Sequence, residues 1–163
     1  MHRIKPQLIA LGVGALVLGG CAGLEQLRGF VQAPRFEQAP DHDPEIRLQG
    51  LNGAGVRLWT RVSNPNPFSL RLGTLKGTLF LEDTPAADAD FPLGLPLAAM
   101  GETTIPIELS VSFANLPRVA DSIRRAISRQ PIAYRFDGTI GVDAGRLGQP
   151  QFGPMTLVRG ELR

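Results

Sequence analysis

Thr104-Ile105-Pro106-Ile107-Glu108-Leu109-Ser110-Val111-Ser112-Phe113 decides the fold. Apolar side chains fall on every second residue, so an extended chain turns Ile105, Ile107, Leu109, Val111 and Phe113 to one face and the polar residues to the other. Pro106 has no N–H to give to a ladder, which places a free strand edge there. The same period of two runs through Val56, Leu58, Thr60 and Val62, set between Arg57, Trp59, Arg61 and Ser63. It returns in Ile132, Tyr134, Phe136, Ile140 and Val142, with Gly138 marking a bulge. Further strands are expected around 45–51, 70–82, 91–97 and 151–158. About seven strands with polar turns predict an all-β, two-sheet sandwich.

One segment follows a different period. Leu116, Val119, Ala120, Ile123 and Ile127 lie on one helical face, while Arg118, Asp121, Arg124, Arg125 and Arg129 lie elsewhere. Asn115 suits its cap, Pro117 its first turn and Pro131 its end. The sandwich therefore carries one inserted amphipathic helix. Its arginines form either a solvated face or a contact for anionic lipid or a partner.

Between the expected second and third strands stands Asn64-Pro65-Asn66-Pro67-Phe68. The prolines remove two backbone donors and drive each preceding asparagine out of the helical region, while the asparagine amides can bond the local backbone. The expectation is a stiff structural corner, with Phe68 closing the end of the core. Gly53-Ala54-Gly55 reads as a hairpin turn, and residues 83–90, acidic and carrying Pro85, read as a surface loop without the ligand spacing of a calcium site.

The run Leu58-Trp59-Thr60-Arg61-Val62-Ser63-Asn64-Pro65-Asn66-Pro67-Phe68, followed by Leu70, Leu72, Leu75, Gly77 and Leu79, resembles the LEA type 2 family, which carries the water stress and hypersensitive response (WHy) domain. The similarity continues through residues 101–107, the helix, Tyr134-Arg135-Phe136-Asp137-Gly138 and Gly153-Pro154-Met155, and so covers about the whole of 44–162. The resemblance implies an immunoglobulin- or fibronectin-like sandwich with a helix, a role in desiccation or envelope stress, and no catalysis. Bacterial members are often lipoproteins.

The amino terminus reads as a targeting segment. His2, Arg3 and Lys5 give a basic start, and residues 8–20 are free of charge. That run falls short of the about 20 apolar residues a membrane-spanning helix needs. It ends in Leu18-Gly19-Gly20-Cys21, which resembles a lipoprotein processing site, and Cys21 is the only cysteine. The resemblance implies diacylation of the Cys21 thiol and cleavage before it. Ala22, where an aspartate would signal inner-membrane retention, implies the periplasmic side of the outer membrane. Each buried methylene contributes about 0.8 kcal/mol, so two or more chains hold essentially permanently. The expected organisation is a signal peptide over 1–20, a lipid-anchored tether over 21–43 and the sandwich domain over 44–163. A flexible tether of some twenty residues reaches about 25 Å. Alternatively, Leu24, Leu27 and Val31 share a helical face that would lie on the membrane surface.

Removal of residues 1–20 takes away Arg3 and Lys5 and leaves fifteen basic against fifteen acidic side chains. A chain with no surplus charge and no single-sign run has no electrostatic footprint for nucleic acid. With one cysteine there is no internal disulfide, so packing must supply the stability. His42 is the one histidine left after processing, and Asp41-His42-Asp43 lies in the expected tether without a second cluster, so it is read as linker charge and no metal is assigned. No cofactor and no catalytic residue is expected.

A composition of 43% hydrophobic residues in alternating order belongs to a folded domain, which excludes a disordered water-replacing filler. The expected mode is contact protection, in which the tethered domain offers sheet edges or an apolar groove to unfolding client proteins or membrane surfaces. Trp59, predicted outward between Arg57 and Arg61, is the candidate contact unless a loop or the tether covers it. The alternative is a carrier holding lipid or another apolar ligand between the sheets.

Overall fold

The computed structural model describes residues 30–114 and 117–162. It is a mostly-β sandwich of eight strands with one short helix. The strands are β1 (Arg35–Gln38), β2 (Glu45–Leu48), β3 (Gly53–Ser63), β4 (Leu70–Leu81), β5 (Thr84–Leu97), β6 (Glu102–Ser112), β7 (Ile132–Asp143) and β8 (Gln151–Leu162). The helix α1 (Pro117–Ile127) joins β6 to β7.

In the first sheet, β6 pairs with β3 from Gly53↔Ser112 to Ser63↔Glu102. The opposite edge of β3 is shared: β1 takes residues 60–63 and β2 takes residues 54–57. The second sheet has the order β5-β4-β7-β8, antiparallel throughout. β1 runs beside β8, and β5 beside β6. Alternation then does what the sequence requires. Leu58 and Ile107 from one sheet meet Leu72, Leu75, Leu79, Phe136 and Ile140 from the other, all fully buried. Each such side chain contributes about 1.5–3 kcal/mol relative to exposure. Opposite one another in β4 and β7 stand Gly77 and Gly138. A Cβ on Gly77 would lie 2.5 Å from the Asp137 carbonyl oxygen and 2.8 Å from Phe136 Cζ, so the close approach excludes any side chain there. The β7–β8 register shifts on both sides of Gly138, consistent with the irregularity its glycine announces.

Four features differ from the sequence reading. The folded body begins before residue 44: Val31 and Ala39 are buried and β1 belongs to the sheet, so the described part of the expected tether is structure. The four residues of β1, set between Pro34 and Pro40, are too few to show a period. β5 begins at Thr84, inside the expected acidic loop. Its inward residues there are Ala86 and Ala89, and a register shift opposite Leu79 and Phe80 breaks the alternation. Gly53-Ala54-Gly55 lies within β3, and the turn falls earlier, where the Gln49 N–H donates to the Gly53 carbonyl (2.9 Å) and Gly50 takes φ +68°. Finally, α1 buries Val119, Ala120, Ser122, Ile123 and Ala126, but Ile127 is 45% exposed at its last position. The Asn115 cap and Leu116 lie outside the described residues.

Helix and corner occupy opposite ends. α1 lies at the end where β3 begins and β6 finishes, against β2, β5 and β7. The Asn-Pro-Asn-Pro segment follows β3 at the other end and carries the chain from the first sheet to the second.

Candidate functional site

The corner is built from two buried amides. Asn64 Nδ2 donates to the carbonyls of Phe68 (2.8 Å) and Ala98 (2.9 Å). Its Oδ1 accepts from both the backbone N–H and the Nδ2 of Asn66, each at 2.9 Å. Asn66 Nδ2 also donates to the Gln32 carbonyl (2.9 Å), and its Oδ1 accepts from the Gln32 N–H (2.8 Å). The main chain completes the knot, with Asn64 N–H on the Gly101 carbonyl (2.8 Å) and Met100 N–H on the Asn66 carbonyl (3.0 Å). Pro65 and Pro67 have no N–H to satisfy, so the two asparagines can spend their amides on the entering chain and on the β5–β6 turn. Phe68 packs half-buried against the core. This set offers neither a nucleophile nor an ionisable group: its chemistry is that of a fastening.

Trp59 lies on the outer face of the first sheet, where β1 ends and β2 has not begun. The chain crossing that gap covers it. The His42 ring stands 4.6 Å from the indole, tilted by 34°. The indole N–H donates to Glu45 Oε1 (3.4 Å), and the Arg57 guanidinium sits 5.8 Å from the ring centroid. Arg57 in turn pairs with Glu108 (2.6 Å) and Glu45 (3.3 Å). The indole hydrogen bond, aided by the charges of Arg57 and Arg47, holds the Glu45 carboxyl below its ordinary value. Trp59 and Arg57 therefore serve the sheet's own surface network, and the segment read as tether is their cover. Arg61 is half-buried, and its Nε has no partner among the described residues. Beside the network runs an open groove of about 400 Å³, lined by Arg47, Gln49, Gly55 and Ser110 among others.

At the helix end, Glu82 and Asp83 form the β4–β5 turn, both with positive φ (47° and 63°). Such backbone is costly for residues other than glycine, and side-chain contacts hold it. Glu82 accepts from Ser122 Oγ (2.8 Å) and from both terminal nitrogens of Arg125, and Asp83 accepts from Arg135 (2.7 Å). Arg125, followed by Ser122, keeps the Glu82 carboxyl below its ordinary value. Of the helix arginines, Arg124 pairs with Asp121 (2.8 Å). The exposed apolar side chains Leu48 (58%), Leu51 (95%) and Ile127 (45%) occupy this same end. Glu82 and Ser122 were not singled out from sequence. The sequence reading ran a strand through Glu82 and a loop from Asp83, so no local spacing marked the pair as a two-residue turn.

Sheet edges are blunted. Pro106 lies on edge strand β6, and edge strand β5 carries Pro85, Pro92 and Pro96. Among the described residues, no three His, Cys, Asp or Glu side chains gather to hold a metal. Leu18, Gly19, Gly20, Cys21 and Ala22 lie outside the described residues.

The family model for late embryogenesis abundant protein, LEA_2, matches residues 60–155. Among solved structures, the chain is similar to a solution structure of an Arabidopsis thaliana protein, with TM-score 0.59 and 18% identity over 75% of this chain and 78% of that one. It is also similar to the solution structure of a putative late embryogenesis abundant (LEA) protein, with TM-score 0.53 and 19% identity over 85% of this chain and 79% of that one. At these identities the likeness is one of fold. No curated protein gives a significant match.

Proposed function

The chain belongs to the LEA_2 family of late embryogenesis abundant proteins, a membership that implies a stress- or desiccation-related protective role, and from it we propose a lipid-anchored, non-enzymatic envelope protein that protects by surface contact. Acylated Cys21 holds it to the periplasmic side of the outer membrane, and its body meets unfolding proteins or membrane surfaces as water is withdrawn.

One observation supports contact in particular. Among the described residues, the large exposed apolar side chains stand at the two ends of the sandwich, with Leu48, Leu51 and Ile127 at the helix end and Phe30 and Met100 at the corner end. Leucine, isoleucine and Phe136 side chains are buried between the sheets, and proline blunts the edges. The ends therefore replace the sheet edges and Trp59 as the contact surfaces.

A labile enzyme dried with the purified protein should recover more activity than one dried with an equal mass of an inert globular protein. Replacing Leu48, Leu51 and Ile127 by serine should remove part of that advantage. Equal recovery with and without the protein, together with lipid extracted from the purified chain, would instead favour carriage of an apolar ligand.

A further inference from the structure

We propose that the end of the sandwich bearing Phe30 and Met100 seats on the phospholipid interface, a reading that rests on the Cys21 anchor proposed above. Phe30 is 68% exposed and Met100 71% exposed. Both flank one fastening: Gln32, two residues after Phe30, exchanges two hydrogen bonds with the Asn66 amide, and the Met100 N–H donates to the Asn66 carbonyl. Met100 also adopts φ +52°, a conformation that glycine or asparagine takes at lower cost. An apolar side chain kept in that backbone at an exposed tip points to a use for the side chain.

Chain length fixes which end meets the lipid. From Cys21 to Phe30 there are nine residue steps, at most about 32 Å when fully extended. The ten residue steps of β3 alone span about 33–34 Å, before the turn and helix beyond its first residue are added. The leash is thus shorter than the body it would have to cross to bring the helix end down to the headgroups. Charge agrees with an apolar seating: among the described residues, Arg35, Arg71 and Arg146 at the corner end stand against Glu102 and Asp143, a surplus of one. Burial of a phenylalanine and a methionine at the boundary, rather than attraction to anionic lipid, holds the orientation.

The processed lipoprotein, reconstituted into vesicles of phosphatidylethanolamine and phosphatidylglycerol, tests this directly. Acylation consumes the Cys21 thiol, so a cysteine introduced as Ala99→Cys or Asn52→Cys takes a nitroxide label alone; both sites are exposed, at the corner and helix ends respectively. The label at 99 should lose about threefold or more of its collision rate with a water-soluble nickel chelate relative to the label at 52, with the difference surviving high salt. Phe30→Ser with Met100→Ser should abolish it. Equal access at both sites in an acylated sample, or protection lost in salt, overturns the seating and leaves the anchor standing. A mass showing unmodified Cys21 overturns both.

Discussion

Asn66 and Gln32 exchange two hydrogen bonds, 2.8 and 2.9 Å long, across a sequence separation of 34, pairing a buried side-chain amide with the main chain as a neighbouring strand would. Asn66→Ala orphans the Gln32 N–H and carbonyl and half of the Asn64 Oδ1 bonding. The expected loss is about 2–4 kcal/mol, read as a lower urea midpoint at unchanged slope. Amides from 31 to 38 should also lose hydrogen-exchange protection. An unchanged midpoint would mean that water replaces the amide without cost.

Thr60 is buried on the inner face of β3, and its hydroxyl finds no partner among the described residues. Thr60→Val keeps the shape and the β-branched preference for a strand while removing an unsatisfied group. Stability should rise by about 1 kcal/mol, measured by chemical denaturation. A loss would show that the hydroxyl is bonded in solution.

The helix ends in a Schellman arrangement. Gln130 N–H donates to the Arg125 carbonyl (3.0 Å) and Arg129 N–H to that of Ala126 (2.9 Å), with Arg129 at φ +61°. Arg129→Gly relieves that backbone and should stabilise by about 0.5–1 kcal/mol, visible as a higher Tm.

Glu82 joins the β4–β5 turn to Ser122 and Arg125, and its carboxyl is held below the ordinary glutamate value of 4.5. A depressed pKa in the folded state adds stability that is complete above 4.5 and is lost as pH falls through the folded value. Glu82→Gln should therefore unfold at a lower temperature than the wild type at pH 6, with the gap narrowing below pH 4.5. A gap that stays constant down to pH 2 would assign the effect to turn geometry instead.

Alternation was legible wherever a strand has one apolar and one polar face of full length. β3, β6 and β7 were readable for that reason, since Leu58, Ile107 and Phe136 each sit within long runs of period two. β1 was hidden by its brevity, and the first half of β5 by alanines at its core positions and by a bulge. At the corner, Asn64 and Asn66 were conspicuous, but Gln32 offers only its main chain, which no side-chain pattern can announce. Trp59 was correctly placed on the outer face. Its cover by His42 and Glu45 follows from β1 and β2 sharing one edge of β3, a tertiary fact that no local spacing contains.

Survival of a deletion strain after drying and osmotic shock, complemented with the wild type or with Cys21→Ala, tests the central claim most directly. An anchored protective domain predicts that the wild type restores survival and that Cys21→Ala, though folded and secreted, restores markedly less. Survival unaffected by either the deletion or the loss of the anchor would contradict it.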